Sequence, residues 1–191
     1  MKKSHLPKKS HDYEKKIKRY LFLSIAMIFI GCMNNYAMAQ EFNYKVNAMY
    51  IYYFTKYINW PDHSGSAFLT IGVLGDSPVT DQLKIIIAGK KPGSVPIIIK
   101  IIEISEVTKC QIIVVSKSQS SITNQVQEAT RNLPILIVTE KRGLVKKGAN
   151  ICIYIDDEDN FKTKFEISKK NMQARKLKVA NELLKIAEVT N

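Results

Sequence analysis

Acid–base chemistry has few candidate side chains in this 191-residue chain. From residue 40 onward the only histidine is His63, in the turn-like stretch WPDHSGS. No multi-histidine metal site and no nucleophile–histidine pair can therefore be assembled there without it. The nucleotide-binding patterns G-x-G-x-x-G and G-x-x-x-x-G-K-[ST] are also missing from the sequence. We therefore expect neither an enzyme nor a bound cofactor, and no catalytic residue is assigned.

The acidic run DDEDN at 156–160 raises the question of a calcium site. Calcium loops alternate their ligands with other residues and contain a glycine at the sharp turn, and this run has neither feature. A solvated turn between two strands is the better interpretation. We expect no metal site.

Polar residues follow three of the apolar runs, in the strings GDS, SKS and TE. If these runs are parallel strands, the carboxyl ends lie at one edge of the sheet, where open α/β sheets bind ligands. A helix beginning at Pro78 would add backbone donors for an anion. This pattern predicts a ligand crevice formed by Asp76, Ser77, Lys117 and Glu140, with ordinary turn chemistry as the alternative.

The runs that must position these residues are rich in β-branched side chains and several are apolar throughout, which is typical of strands buried on both faces. They cover 68–74, 95–104, 111–116, 134–140, 151–155 and 164–167. Helical patterns cover 44–59, 78–88, 119–132 and about 169–188. Alternation of strands with helices predicts a single α/β domain with a largely parallel sheet of about five to six strands, covered by helices.

Aromatic residues are concentrated in the first of these helices, since eight of the seventeen in the chain lie between Phe42 and Trp60. A stripe at helical spacing predicts the face that packs on the sheet. Tyr52 lies off this stripe and Trp60 lies in the exit turn, so we expect both to be exposed and available to a partner. The stripe consists of Val46, Met49, Tyr50, Tyr53, Phe54, Tyr57 and Ile58.

The N-terminal segment has the pattern of a secretory signal peptide. A basic lead precedes an apolar run at 20–33, and Ala37-Met38-Ala39 is a signal-peptidase site that predicts cleavage before Gln40. We therefore predict a signal peptide over 1–39, a domain over 40–191 and a periplasmic location. An uncleaved anchor and lipidation at Cys32 are the alternatives.

Export changes the meaning of the net charge of +12. The first 39 residues hold eight basic and two acidic residues, so 40–191 carries a net charge of +6. Its lysines are scattered and no arginine-rich or aromatic-interleaved motif occurs, so we expect no nucleic-acid partner. Cys110 and Cys152 lie on runs that another strand would separate, at about 10 Å, which is too far for a disulfide. We expect two buried, unpaired thiols, with a Cys110–Cys152 disulfide in the oxidising compartment as the alternative.

The order of motifs resembles the YfiR family of small periplasmic proteins over residues 44–188. The resemblance rests on the aromatic helix ending in Trp-Pro, on the turn IGVLGD, and on the closing segments KFEI, LKV and ELLKIA. It implies regulation: the characterised YfiR-like protein is a dimeric periplasmic repressor of a membrane-bound diguanylate cyclase, affecting cyclic-di-GMP and biofilm formation. Cys110 and Cys152 look like two of the family's half-cystines, but their usual partners are missing here.

Two functions are therefore expected. The first is an inhibitory partner of an inner-membrane signalling protein with a periplasmic region, either a diguanylate cyclase or a hybrid histidine kinase, and a homodimer is expected with it. Tyr52 and Trp60, with part of the last helix, would contribute to the dimer or receptor surface. The second is an exported module whose crevice near Asp76, Lys117 and Glu140 senses a small molecule.

Overall fold

The computed structural model describes residues 9–61, 67–89 and 95–191, without the side chains of 9–14, 25, 26 and 28–43. The chain divides into two compact units, Met1–Phe42 and Asn43–Asn191. The side chains at the predicted cleavage site and at Cys32, and all of His63, lie outside the described residues. The signal peptide therefore stays a prediction. Within the described residues, no helix combines the length and apolar character that crossing a membrane requires.

The helices and strands alternate along the second unit, as the sequence predicts. Their bounds are α1 (Lys9–Tyr57), β1 (Ile58–Asn59), β2 (Leu69–Leu74), α2 (Val79–Ala88), β3 (Ile97–Ile102), β4 (Ile112–Val115), α3 (Thr123–Ala129), β5 (Leu136–Thr139), β6 (Ile151–Asp156), β7 (Lys162–Ser168), α4 (Lys169–Ala174), β8 (Lys178–Val179), α5 (Asn181–Leu184) and β9 (Glu188–Thr190). Short 3-10 helices cover Ile104–Lys109, Lys117–Ile122 and Leu144–Lys147.

A sheet of seven strands forms the centre of the fold, in the order β3-β2-β4-β5-β6-β7-β9. The strands from β2 to β6 are all parallel, β7 is antiparallel to β6, and β9 is parallel to β7. β1 and β8 form a separate antiparallel pair. The prediction of an α/β fold with a largely parallel sheet is confirmed, and β9 adds an edge strand that the sequence did not indicate.

Apolar side chains cover the sheet on both faces. On one face α1 and α2 pack against β2, β4 and β5, and this cluster includes Ile51, Phe54 and Leu83. On the other face α3 and the 3-10 helices pack against the alternate residues of the same strands, around Val126 and Leu144. Burial on both faces explains why the strand sequences are apolar without alternation.

The buried face of α1 differs from the predicted stripe. Ala48, Ile51 and Phe54 are fully buried, and Ile58, which lies in β1, is 2% exposed, so the stripe is right at Phe54 and Ile58. Met49, Tyr53 and Tyr57, which the stripe placed in the core, are exposed. The segment is apolar almost throughout, so two overlapping stripes were available, and the one that contains Ala48 and Ile51 lies in the core cluster.

The predicted final helix over 169–188 is wrong, because the segment forms α4, β8, α5 and β9. Lys176 adopts a left-handed φ of 57°, which ends the helix without a glycine or proline. The chain then turns back, and β8 pairs with β1 directly after α1. These tertiary contacts override a pattern that is helical in isolation.

Arg175 connects this C-terminal segment to α3. Its guanidinium is buried and donates to the carbonyl oxygens of Thr130 at 2.8 Å and Leu133 at 3.2 Å, and to the Thr130 hydroxyl at 3.0 Å. These carbonyls follow the last turn of α3, where backbone acceptors lack helical partners. Burial lowers the pKa of the guanidinium to about 10, so it stays charged at neutral pH.

Arg175→Ala should reduce the free energy of unfolding by about 3 kcal/mol, because it leaves several buried acceptors without donors. Arg131→Ala is the matched control, since Arg131 lies close to the end of α3 but forms an exposed ion pair with Glu128. That change should cost about 1 kcal/mol or less. Urea unfolding followed by the fluorescence of Trp60, the single tryptophan, measures both. Equal losses in the two variants would contradict this account of Arg175.

Candidate functional site

The carboxyl ends of β2, β4 and β5 meet at one edge of the sheet, where the strand order reverses. β2 has β3 on one side and β4 on the other. α2, which follows β2, packs on one face of the sheet, and α3, which follows β4, packs on the opposite face. Crossovers that diverge in this way leave a crevice outside the strand ends, which is the usual ligand position in open α/β sheets.

Three of the four predicted crevice residues come together there, around the carboxylate of Glu140. The Ser77 hydroxyl donates to Oε2 of Glu140 at 2.9 Å, and the backbone N–H of Lys117 also donates to this carboxylate. Ser77 Oγ in turn accepts from the backbone N–H of Val79 at 3.3 Å, which fixes the hydroxyl at the start of α2. Glu140 is only 8% exposed.

Asn47 completes this cluster, and sequence reasoning did not identify it. Its Nδ2 lies 3.4 Å from Oε1 of Glu140, and the residue is 9% exposed. Asn47 precedes Glu140 by 93 residues and belongs to α1, so no local pattern connects the two. Its polarity within an apolar helical segment was the available signal.

The environment raises the pKa of Glu140 above its ordinary value of 4.5. Burial is the largest cause, because it disfavours the charged form. The hydrogen bonds from Ser77, Asn47 and Lys117 act in the opposite direction, as does the positive charge of Lys117, but they do not cancel the effect of burial. Glu140 is therefore a buried carboxyl group whose protonated form is favoured relative to a carboxyl group in water.

Asp76 is separate from this cluster. It is exposed and lines a cavity of about 420 Å³ at the carboxyl ends of β2 and β3, together with Glu103, Gln119 and Gln125 above an isoleucine-rich floor. The structure thus divides the predicted ligand set into a buried cluster at Glu140 and an open cavity at Asp76. A bound ligand at either place stays a prediction.

Exposed aromatic side chains form a ridge on α1. Met49, Tyr53 and Tyr57 lie at i, i+4 and i+8 and are 38%, 42% and 39% exposed. The rings of Tyr53 and Tyr57 are in edge contact at 6.3 Å. Tyr52 is half-buried beside the ridge, with its ring centroid 6.0 Å from that of Tyr53. We call Met49, Tyr53 and Tyr57 the α1 ridge.

Trp60 does not have the predicted exposure, because it is only 8% exposed and packs in the core cluster beneath α1. β1 directly follows α1 and precedes Trp60, and it pairs with β8. The C-terminal segment therefore returns to this turn, and the indole ring lies inside the core.

The two described cysteines are both buried and form no disulfide. β5 lies between β4, which Cys110 precedes, and β6, which contains Cys152. Burial raises the pKa of the Cys152 thiol to about 12 and also raises that of Cys110. Across the described residues, no group of His, Cys, Asp and Glu side chains could hold a metal ion.

A protein-family model described as YfiR/HmsC-like matches residues 44–188. No curated protein matches the chain significantly. One similar solved structure is a conserved domain protein from Vibrio cholerae O1 biovar El Tor, with 13% identity, a TM-score of 0.48 and coverage of 64% of this chain and 54% of that one. Another is the ABC domain in complex with L-Trp from Streptococcus pneumonia, with 16% identity, a TM-score of 0.47 and coverage of 63% and 54%. This chain thus spans about half the length of each.

Gly75, in the turn that leads to Asp76 and Ser77, should tolerate alanine poorly. It has φ of 80°, and a Cβ atom would overlap the side chain of Gln119 and lie 2.6 Å from Ser116 Oγ. Gly143 is the matched control, because its φ is 81° but no described atom lies within 4 Å of an added Cβ.

Gly143→Ala should therefore cost about 1 kcal/mol from backbone strain alone. Gly75→Ala should cost about 1–3 kcal/mol more from the overlap. Urea denaturation of both variants measures the difference. Equal costs would show that the turn at Gly75 has room that the structure does not indicate.

Proposed function

Since the chain belongs to the YfiR/HmsC-like family, we propose that it is a periplasmic protein that binds an inner-membrane signalling protein and holds it inactive. The receptor would be a diguanylate cyclase or a hybrid histidine kinase with a periplasmic region, so that release raises cyclic-di-GMP or biofilm output. Members of the family are periplasmic regulators rather than enzymes.

The α1 ridge is the observation that carries the proposal beyond the family. Aromatic side chains supply large contact areas at a low cost in side-chain entropy and are enriched at binding hot spots. Tyr53 and Tyr57 are 42% and 39% exposed and are not part of the buried core cluster. A ridge spaced at i, i+4 and i+8 fits a groove between helices or alongside one helix.

The energy required of such a contact is modest. A repressor must bind the inactive state of its receptor more tightly than the active state, and about 1–3 kcal/mol of difference gives a switch of five- to 150-fold. One or two buried tyrosines supply energies of this size. Lys56, whose ammonium group lies 5.5 Å from the centroid of the Tyr52 ring, places a positive charge at the side of the ridge. We therefore expect an apolar receptor groove with an acidic rim.

The small-molecule module is the second candidate. The cavity at Asp76 favours this function, because the cavity combines an apolar floor with two carboxylates and two carboxamides. It lies at the carboxyl ends of the strands, where open α/β sheets bind ligands. The two functions are compatible, since a ligand could release a repressor.

Crosslinking in the natural host tests the main proposal. The tagged full-length chain is crosslinked in cells, and captured membrane proteins are identified. Capture of a cyclase or hybrid kinase, whose output rises when the gene for this chain is deleted, supports the repressor function. Capture of a second copy of the chain alone would support a homodimer instead of a membrane receptor. A lack of any membrane partner, under conditions where a known envelope complex crosslinks, would favour the small-molecule module.

The double variant Tyr53→Ala/Tyr57→Ala should bind the captured receptor about 10- to 100-fold more weakly, because it removes two exposed anchors. Phe161→Ala is the control, since Phe161 is 68% exposed but lies on the turn between β6 and β7. Titration of purified variants against membranes from the host measures the affinities. Unchanged affinity of the double variant would exclude the ridge as the receptor surface. The unfolding midpoint of the double variant should stay close to that of the wild type.

A further inference from the structure

The exposed charges of the C-terminal segment are almost all positive. Between 169 and 185 there are five exposed lysines, and Glu182 is the single acidic residue. The one arginine in this stretch, Arg175, is buried, so every exposed cation is a lysine. The exposed lysines are Lys169, Lys170, Lys176, Lys178 and Lys185.

Lysines from three segments of the chain are grouped around α4. Lys146 and Lys170 line a cavity of about 610 Å³. Lys169 and Lys178 line a second cavity, of about 320 Å³, that also includes residues of α4. Lys147 directly follows Lys146 and is exposed as well. We call the five lysines at 146, 147, 169, 170 and 178 the basic face.

Asn171 holds two parts of the basic face together. Its Nδ2 donates to the carbonyl oxygen of Val145 at 2.8 Å and to that of Ala149 at 2.7 Å. The contact therefore joins the 3-10 helix at 144–147 to the start of α4, although both carry lysines that repel one another.

The lysines of the basic face are not placed to stabilise the fold. Within the described parts of the chain, none of the five forms an ion pair. Lys169 and Lys170 occupy the first turn of α4, where a helix favours acidic side chains. Charges that oppose the local preference and have no partner in the fold indicate a partner outside it.

The carboxylates closest to the basic face are engaged within the protein. Glu166 is 6% exposed and accepts from the backbone N–H of Gly143, and Glu188 is paired with Arg142 at 3.0 Å. The acidic run at 156–159 lies at the other end of the β6–β7 hairpin, roughly 17 Å along the strands. This separation of charge orients the basic face toward a negative surface.

We propose that the basic face binds the surface of a phospholipid bilayer that contains anionic headgroups. Lysine suits such a surface, because its compact ammonium group on a flexible stem needs no fixed geometry. Protein interfaces, in contrast, are enriched in arginine and depleted in lysine. Each lysine close to an anionic bilayer adds to the attraction, and salt weakens it.

The basic face lies beside the end of the α1 ridge. Lys178 pairs with Asn59, two residues after Tyr57, and the backbone N–H of Ala180 donates to the carbonyl oxygen of Tyr57 at 2.8 Å. Binding to lipid thus keeps the ridge close to the bilayer, where it meets an inner-membrane receptor. This consequence rests on the proposed function, but binding to lipid does not.

Cosedimentation of the full chain with vesicles of phosphatidylglycerol and phosphatidylcholine, at about 3:7, tests the proposal. Lys146→Gln/Lys147→Gln/Lys170→Gln should bind about 10- to 100-fold more weakly than the wild type. The difference should disappear on vesicles of phosphatidylcholine alone and shrink in high salt. Equal binding of this variant and the wild type to the anionic vesicles would overturn the proposal.

Lys84→Gln/Lys100→Gln/Lys109→Gln is the matched control. It removes the same charge at exposed lysines close to β3, the opposite edge of the sheet, and should bind like the wild type. Equal losses in both triple variants would show that net charge alone matters and would overturn the basic face. The first 39 residues are common to all three proteins, so they do not enter the differences. Urea midpoints should agree, since every substituted lysine is exposed.

Two further measurements distinguish other partners of the basic face. Inorganic phosphate, added at constant ionic strength, should leave the wild type on the vesicles, and its release would indicate a discrete phosphate site instead. A variant at 146, 147 and 170 that keeps vesicle binding but no longer captures a host membrane protein would identify an acidic protein surface as the partner. Either result would overturn the lipid proposal. Because the vesicles contain no protein, failure to capture a receptor counts only against the proposed function.

Discussion

A parallel sheet that is buried on both faces is the constraint on which the rest of the structure depends. Every residue of β2, β4 and β5 is buried. Such strands have no position for a charged side chain, because an uncompensated charge in the core is costly. Polar groups are therefore displaced to the strand ends, and the carboxyl edge becomes the place where chemistry is concentrated. Ser77, Lys117 and Glu140 meet there for this reason.

The same constraint gives α1 two different faces. One face must cover the sheet, and Ala48, Ile51 and Phe54 do so. The other face has no sheet to cover, yet it carries Met49, Tyr53 and Tyr57 in place of charged residues. Asn47 lies on the buried side at the edge of the sheet, where its amide can reach Glu140. The helix thus joins an exposed aromatic surface to a buried titratable group over a few residues.

The sequence indicated the parts of the fold that depend on local pattern. Continuous apolar runs identify buried strands, and polar residues after those runs led to the cluster at Glu140. Parts that depend on competition between similar patterns could not be predicted. In α1 two apolar stripes overlap, and the choice between them is made by packing against the sheet, which buries Ala48 and Ile51. Burial of Trp60 and the break at Lys176 depend on β8 returning to β1, a long-range contact without a local signal. The contact between Asn47 and Glu140 is likewise long-range, and no local pattern connects the two residues.

Glu140 and Arg175 show how two buried ionisable groups come to serve different purposes. Arg175 is surrounded by carbonyl and hydroxyl oxygens that accept from its charged form, and its pKa of about 10 keeps it charged at any pH near neutrality. It therefore acts as a fixed structural connection. Glu140 receives donors too, but burial outweighs them and raises its pKa above the ordinary value. Glu140 lies where the helix with the exposed ridge meets the sheet, and burial favours its protonated form relative to a carboxyl group in water.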